Sequence, residues 1–176
     1  MLLLLQPGEN RMKCVICGHK MTEDKSGLFS YVSSGLSKVY LKGVHIHKCS
    51  NKECGEEEVT IPNIEELHEL LAENVAKQNN VLQPEEIRFL RTHLGFSGAD
   101  FAKVMGVSPE TVSRWEKGTV NMKEASERLI RVLVLSKLGP FREYEDLKVY
   151  ASKASKTPVR RVFELERSHW LEAKVA

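Results

Sequence analysis

Hydrophobic residues follow two different periodicities along the chain. In the first third they form short runs rich in β-branched and aromatic residues, at Leu28–Val32 and Lys38–Leu41, separated by Ser33-Ser34-Gly35. Runs of this composition around a polar turn predict a β-hairpin. The segment that contains His45 and His47 predicts a third strand.

From residue 63 onward, apolar residues recur at the three- and four-residue spacing of amphipathic helices. The predicted helices cover residues 63–77, 83–94, 97–105, 108–117 and 123–138. Asn63, Ser97 and Ser108 are the expected N-caps, and Gly95 and Gly106 the expected stops. We expect a shared core from Ile87, Leu90, Leu94, Phe101, Ala102, Met105, Val112 and Trp115. The last helix is apolar on more than one face, which predicts contact with this core and with a dimer mate.

The pattern weakens after Pro140. We expect a short helix at Phe141–Ala151, a strand at Pro158–Glu166, and a terminal helix at Ser168–Val175 with Trp170 buried.

Composition and charge narrow the class of protein. The 176 residues are 41% hydrophobic and 28% charged, with a net charge of +2. Residues 84–139 carry nine Lys/Arg against seven Asp/Glu, whereas residues 62–83 carry one Lys against four Glu. A mildly basic part that follows an acidic one fits a nucleic-acid-contacting half joined to a half that does not touch nucleic acid.

The apolar run Leu2–Leu5 is too short for a secretory signal or a membrane span. We therefore expect a cytoplasmic protein with no membrane association. Met12-Lys13-Cys14 is a more natural start, so we interpret residues 1–11 as an upstream extension or a misassigned start.

The four cysteines form two close pairs, Cys14-x-x-Cys17 and Cys49-x4-Cys54, each followed directly by Gly. In a reducing compartment such pairs favour metal binding over disulfides. Four thiolates suit one tetrahedral structural Zn²⁺, with no position left for a catalytic water. Because four cysteines already satisfy the metal, we interpret His45 and His47 as strand residues or as supports of the ligands.

The segment Phe101–Gly118 predicts a helix-turn-helix, in which Gly106 makes the turn and small or apolar residues pack the two helices. Its second helix would present base-facing residues, for which the candidates are Pro109, Glu110, Thr111, Ser113 and Arg114. Arg114 is the candidate for a bidentate contact to guanine. Lys103, Lys117 and Lys123 are the candidates for phosphate contacts.

These residues resemble the Xre (lambda repressor/Cro-like) helix-turn-helix family, and the cysteine pairs resemble the YgiT-type zinc finger. In this order, over residues 12–138, the two resemble the MqsA family of bacterial antitoxins. The resemblance implies a zinc domain that binds a toxin and a dimeric DNA-binding domain that represses the toxin–antitoxin operon. In that family an Asn and an Arg on the recognition helix read bases; here Glu110 replaces the Asn and Arg114 is retained. Gly98 stands where such helices often carry Gln, the second cysteine pair is wider than C-x-x-C, and residues 140–176 have no counterpart.

The fold class expected is α+β: a small zinc-bound β module at 12–61, a helix and linker at 62–80, an all-α lambda repressor-like domain at 81–139, and a C-terminal α/β extension at 140–176. We expect no enzyme, because His68 and His93 lie in helices without a nucleophile or carboxylate constellation. The expected function is a homodimeric repressor of a palindromic operator that acts as the antitoxin of a type II system. Two alternatives stay open: a zinc-containing regulator without a toxin partner, and a zinc-dependent redox or metal-sensing switch.

Overall fold

The computed structural model describes residues 12–24, 27–139 and 159–173. Within these ranges the chain is a mixed α+β protein, as predicted. The strands are β1 Met21–Asp24, β2 Phe29–Ser30, β3 Val39–Lys42, β4 His45–Cys49, β5 Glu57–Thr60, β6 Arg161–Glu166 and β7 His169–Glu172; the helices are α1 Ile64–Lys77, α2 Pro84–His93, α3 Gly98–Met105, α4 Pro109–Glu116 and α5 Glu124–Leu138. The helix expected at Phe141–Ala151 lies outside the described residues.

The strands form two sheets. One has the order β1-β4-β5 with antiparallel pairing throughout, and it carries His45 and His47 on its central strand. The other has the order β2-β3-β6-β7. The predicted hairpin is present as the antiparallel pair of β2 and β3, although a short 3₁₀ helix, Val32–Ser34, occupies its connection. The alternation of buried and exposed residues in β3 turns Val39 and Leu41 toward the core.

The C-terminal segment is part of this second sheet. β6 runs parallel to β3, with Val39 opposite Arg161 and Leu41 opposite Phe163. The strand predicted at Pro158–Glu166 is therefore confirmed, but the predicted helix at Ser168–Val175 is wrong, because β7 pairs antiparallel with β6 there. The prediction that Trp170 is buried is confirmed. Trp170 is buried on β7 of this hairpin, which packs against α1.

All five helices begin and end close to their predicted limits because the end signals are local. Ser97 and Ser108 accept hydrogen bonds from the third residue beyond them, as N-caps do. Gly106 ends α3 in the left-handed conformation with φ +65°. Asn63 stands at the N-cap of α1, but its side chain makes no cap. It donates to the carbonyl oxygen of Ser168 instead.

The buried residues form one core that runs from Tyr31 in the β-rich part to Val134 in α5 and Trp170 in β7. α1 packs against α2, α5 and β7, and so joins the sheet β2-β3-β6-β7 to the helices. The polar segment 78–80, which the sequence suggested as a boundary, is held by Arg131 of α5. The guanidinium of Arg131 is buried and donates to the carbonyl oxygens of Ala76 at 3.0 Å and Asn80 at 2.6 Å. The boundaries of the four predicted domains stay a prediction.

Candidate metal centre and nucleic-acid interface

The four cysteine sulfurs converge at one end of the sheet β1-β4-β5. All four Sγ atoms lie within 4.8 Å of one another. The sulfur of Cys14 is 3.7 Å from that of Cys54, and the sulfur of Cys17 is 3.4 Å from that of Cys49. None of the four forms a disulfide bond. The structure thus brings together the four residues that the sequence predicted as metal ligands.

Two tight turns aim these sulfurs at a common point. In the first, the N–H of Gly18 donates to the carbonyl oxygen of Cys14 at 2.9 Å, and Gly18 has φ +72°. In the second, the N–H of Cys54 donates to the carbonyl oxygen of Asn51 at 3.1 Å, and Gly55 has φ +64°. Glycine follows each cysteine pair because a side chain is disfavoured at these backbone angles.

The geometry fits a four-coordinate metal. Four thiolates at about 2.3 Å from a tetrahedral zinc lie about 3.8 Å apart. The two sulfur–sulfur distances of 3.7 Å and 3.4 Å come within a few tenths of an ångström of that value. The cluster can therefore hold one metal ion, with every coordination position taken by sulfur.

The cysteines differ in acidity. A hydrogen bond from the backbone of His19 lowers the pKa of Cys17 to about 6. Desolvation raises the pKa of Cys49 to about 12. Without a cation, the thiol of Cys17 is therefore more acidic than that of Cys49. A bound cation removes this order because every coordinating cysteine must be a thiolate.

His45 and His47 lie on β4, as predicted, and do not belong to the sulfur cluster. The Nδ1 atom of His45 lies 2.9 Å from the Oε1 atom of Glu23 on the neighbouring strand. Nδ1 of His47 is buried and has no hydrogen-bond partner among the described residues. The interpretation of both as strand residues is confirmed, and their place outside the ligand set stays a prediction.

The second predicted site lies on α4, more than 50 residues further along the chain. Pro109, Glu110 and Arg114 are exposed on its outer face, and Thr111 and Ser113 are half-buried. A hydrogen bond from its own backbone N–H, with a further one from Ser108, lowers the pKa of Glu110. The opposite face of α4 is buried through Val112 and Trp115.

The predicted phosphate-contacting lysines lie on the elements that precede and follow α4. Lys103 is exposed on α3, Lys117 follows α4 directly, and Lys123 stands at the N-cap of α5. Lys103 also forms an ion pair of 3.1 Å with Asp100 in its own helix. The assignment of these residues to DNA contacts stays a prediction.

Sequence reasoning missed the residue that fixes α4 in place. Glu116, the last residue of α4, accepts from Nε of Arg91 at 2.5 Å and from Nη2 at 3.3 Å. Arg88 adds a longer contact of 3.5 Å to the same carboxylate. The fork-shaped pairing of Arg91 ties α4 to α2, whereas single contacts of exposed ions contribute little. The i,i+3 spacing of Arg88 and Arg91 on one face of α2 was the available signal.

Comparison with known protein families identifies the family of this chain. The family model described as "antitoxin component of bacterial toxin-antitoxin system, MqsA" matches residues 12–137. The chain belongs to the MqsA antitoxin family. The match covers both the cysteine cluster and α4, so the resemblance inferred from the motifs is confirmed.

The MqsA family is a family of antitoxins and not a class of enzymes. The search of curated proteins and the search of solved structures found no match. In the part of the chain that the structure describes, no helix combines the length and the apolar character needed to cross a bilayer. The family match ends before β6, so the C-terminal hairpin lies outside the part of this MqsA-family chain that the family model describes.

Proposed function

We propose that this protein is a cytoplasmic antitoxin and a sequence-specific DNA-binding repressor of its own toxin–antitoxin operon. The observation that carries the proposal is the exposed edge of α4, with Arg114 facing solvent on a helix whose other face is buried. α3, the turn at 106–108 and α4 then serve as a helix-turn-helix, and α4 enters the major groove. Membership of an antitoxin family supports this role.

The side chains along α4 suit base recognition. Arg114 can donate two parallel hydrogen bonds to guanine, and the carboxylate of Glu110, one helical turn away, can accept from the amino group of cytosine. The bracing of α4 by Arg91 and Glu116 keeps this edge in a constant orientation. Lys103, Lys117 and Lys123 supply phosphate contacts that carry no sequence information.

Replacing Arg114 tests the base-reading role. The Arg114→Ala variant should bind the promoter DNA upstream of its own gene about tenfold to a hundredfold more weakly, and bind random duplex nearly as well as the native protein. Arg128→Ala removes the same charge from α5 and should change neither affinity by more than about twofold. Fluorescence anisotropy at one fixed salt concentration measures both. Equal losses on promoter and random DNA for Arg114→Ala would remove its role in base recognition.

We propose that the protein binds DNA as a homodimer through α5. Ile130, Arg131 and Val134 of that helix are buried in the monomer, whereas Leu129 stays 39% exposed and Leu133 is only half-buried. A two-fold dimer requires a palindromic site with half-sites about 34–36 Å apart or a multiple of that distance. Sedimentation equilibrium of Leu129→Glu should show a monomer with weaker operator binding; an unchanged dimer would exclude this face.

We propose Zn²⁺ as the metal of the cysteine cluster, since a closed four-thiolate site is typical of structural zinc. Elemental analysis should give one zinc per chain, and Cys14→Ser should lose it together with order in the sheet β1-β4-β5. Full zinc retention by Cys14→Ser would contradict the assignment. Chelation should leave operator affinity within a few-fold of the native value; its loss in proportion to zinc would favour a metal-sensing switch.

We propose that the zinc-bearing part and α1 bind a basic toxin. α1 carries exposed carboxylates at Glu65 and Glu69, and the tip of the first cysteine turn exposes Val15 and Ile16, at 82% and 70%. Such an acidic face with an apolar tip complements a basic protein surface.

The product of the reading frame next to this gene is the partner to test. Isothermal titration should show binding that Glu65→Lys/Glu69→Lys weakens at least tenfold. Glu124→Lys, a change at an exposed glutamate of α5, should leave it intact. Absence of binding by the native protein would favour the alternative, a zinc-containing regulator without a toxin partner.

A further inference from the structure

Two histidines outside the cysteine cluster share one face of the sheet β1-β4-β5. His45 and His47 are two residues apart on the central strand β4, so their side chains point to the same side. The register of the sheet places Glu23 of β1 and Glu58 of β5 opposite His47, and residues that are opposite each other share a face. Two imidazoles and two carboxylates therefore lie on this side of the sheet, which we call the histidine face.

The ion pairs of the strands agree with this division into two faces. Nδ1 of His45 lies 2.9 Å from Oε1 of Glu23, both on the histidine face. Nζ of Lys48 lies 3.0 Å from Oδ2 of Asp24 and 3.8 Å from Oε2 of Glu57, and all three belong to the opposite face. Lys48 is the only lysine or arginine in these three strands. A cation on the histidine face therefore meets no fixed positive charge from the strands themselves.

The contact with Glu23 prepares His45 to bind a metal ion. A carboxylate accepts hydrogen bonds, so Nδ1 of His45 carries the hydrogen and, in the neutral ring, Nε2 carries the lone pair. Among the described residues Nε2 has no hydrogen-bond partner, and the side chain of His45 is 64% exposed. An imidazole held by a carboxylate through one nitrogen, with the other nitrogen open, is the usual arrangement of a metal-binding histidine.

His47 offers the second nitrogen. Its Nδ1 atom is buried, whereas Nε2 keeps contact with solvent and has no hydrogen-bond partner among the described residues. Two residues along a strand span about 6.6 Å, and one metal ion about 2.0–2.1 Å from each nitrogen can bridge two imidazoles at that spacing. Glu23 stands opposite His47 but contacts His45, so this contact already draws the ring of His45 toward His47.

We propose that the histidine face binds a divalent transition-metal ion through Nε2 of His45 and Nε2 of His47, separately from the cysteine cluster. Imidazole nitrogens suit Ni²⁺, Cu²⁺ and Zn²⁺, whereas Mg²⁺ and Ca²⁺ prefer oxygen ligands. Water completes the coordination of an ion that has two protein ligands, so this ion exchanges more readily than one enclosed by four thiolates. The site is loaded or emptied as the supply of the ion changes, and it does not depend on DNA or toxin binding.

Nickel titration of the zinc-loaded full chain at pH 7.5 tests the site, because Ni²⁺ does not oxidise thiols as Cu²⁺ does. Isothermal titration should show one Ni²⁺ bound per chain. The Cε1–H NMR signals of His45 and His47 should shift or broaden before those of the other histidines, and a zinc indicator dye should detect no released zinc. Nickel uptake with equal release of zinc would place the ion at the cysteines and overturn the proposal, as would saturation without a change at His45 and His47.

Variants with a matched control locate the ion. His45→Gln and His47→Gln should each weaken nickel binding at least about tenfold, because a single imidazole loses the advantage of two linked ligands. Glu23→Leu removes the acceptor of Nδ1 and should weaken binding about tenfold. His169→Gln is the control, since His169 is 74% exposed and lies 3.0 Å from the carboxylate of Glu66 but has no histidine two residues away. This control should bind nickel as the native protein does.

Zinc content and urea midpoints identify which variants are folded. His45→Gln changes an exposed side chain and should keep both at their native values. A folded His45→Gln that binds nickel as tightly as the native protein would refute the site, and so would an equal loss of affinity in His169→Gln.

Discussion

Replacing Arg161 by methionine removes one half of a fully buried ion pair. Arg161 on β6 and Glu86 on α2 are each only 2% exposed, and their side chains form a salt bridge. Nε of Arg161 also donates to Oδ1 of Asn74 at 2.9 Å. The other oxygen of Glu86 accepts from the N–H of Gln83 and from Nε2 of Gln78, each at 2.8 Å. The pair therefore joins the C-terminal hairpin to α1 and α2.

The expected loss of stability follows from the burial of the Glu86 carboxylate. In Arg161→Met the carboxylate of Glu86 stays inside the protein without its cation, which typically costs about 3–5 kcal/mol of unfolding free energy. Arg160→Met is the matched control. The guanidinium of Arg160 lies over the ring of Tyr40, 5.1 Å from its centroid, and its loss should cost about 1 kcal/mol or less.

The assay is urea unfolding of the zinc-saturated protein at pH 7.5, followed by tryptophan fluorescence, with the urea dependence of each variant compared. Arg161→Met/Glu86→Leu removes both charges and should be more stable than Arg161→Met alone, because no buried charge is left uncompensated. Two results would refute the reasoning: a loss below about 1 kcal/mol for Arg161→Met, or a double variant as unstable as the sum of the single ones.

Three further outcomes follow from the structure. Desolvation lowers the pKa of His68 and His93, so below about pH 6.5 the unfolded chain takes up protons that the folded protein does not. The free energy of unfolding should therefore be highest above about pH 6.5 and decrease as the pH falls below that value. Urea midpoints from pH 7.5 to 5 should show a smaller fall for His93→Phe, and an identical pH slope would contradict this. Gly43→Ala should lower the free energy of unfolding by about 1–3 kcal/mol more than Gly35→Ala does, measured by thermal or urea unfolding. Both glycines have φ +77°, but only at Gly43 would an added Cβ lie 2.9 Å from a backbone oxygen, that of Leu165. Ser108→Ala removes the N-cap of α4 and should lower the free energy of unfolding by about 1 kcal/mol in the same assay. No change beyond experimental error would show that this cap does not stabilise the protein.

The helices were predictable because their signals are short-range. Ser97 and Ser108 cap helices whose first turns lie within three residues of them, and Gly106 ends α3 directly beside it. The metal cluster was predictable for a related reason, since thiol pairs at close spacing serve few other purposes in a reducing compartment. Strands β1 and β5 were missed because each is four residues long and mostly polar, with Thr22 and Glu57 among its exposed positions.

The misassigned segment Ser168–Val175 shows why the C-terminal part was not predictable. Whether Trp170 is buried by a helix or by a strand depends on the presence of β3, more than 100 residues earlier, as the platform for β6. Asn63 was assigned as a cap on local grounds, but its side chain bonds to Ser168, 105 residues away. The fold brings the carbonyl oxygen of Ser168 within hydrogen-bonding distance of Asn63, whose side chain bonds to it and not to the first turn of α1.

The amino-acid sequence by itself determined the five helices, the four converging cysteines, the outward edge of α4 and the antitoxin family, because each depends on residues a few positions apart or on a recognisable motif. Only the tertiary structure decided the parallel pairing of β3 with β6 and the burial of Arg161 beside Glu86. Arg161 and Glu86 are 75 residues apart, and each considered alone is a charged residue expected at the protein surface. Their burial is stable only as a pair, and the packing of three separate elements is what creates the pair.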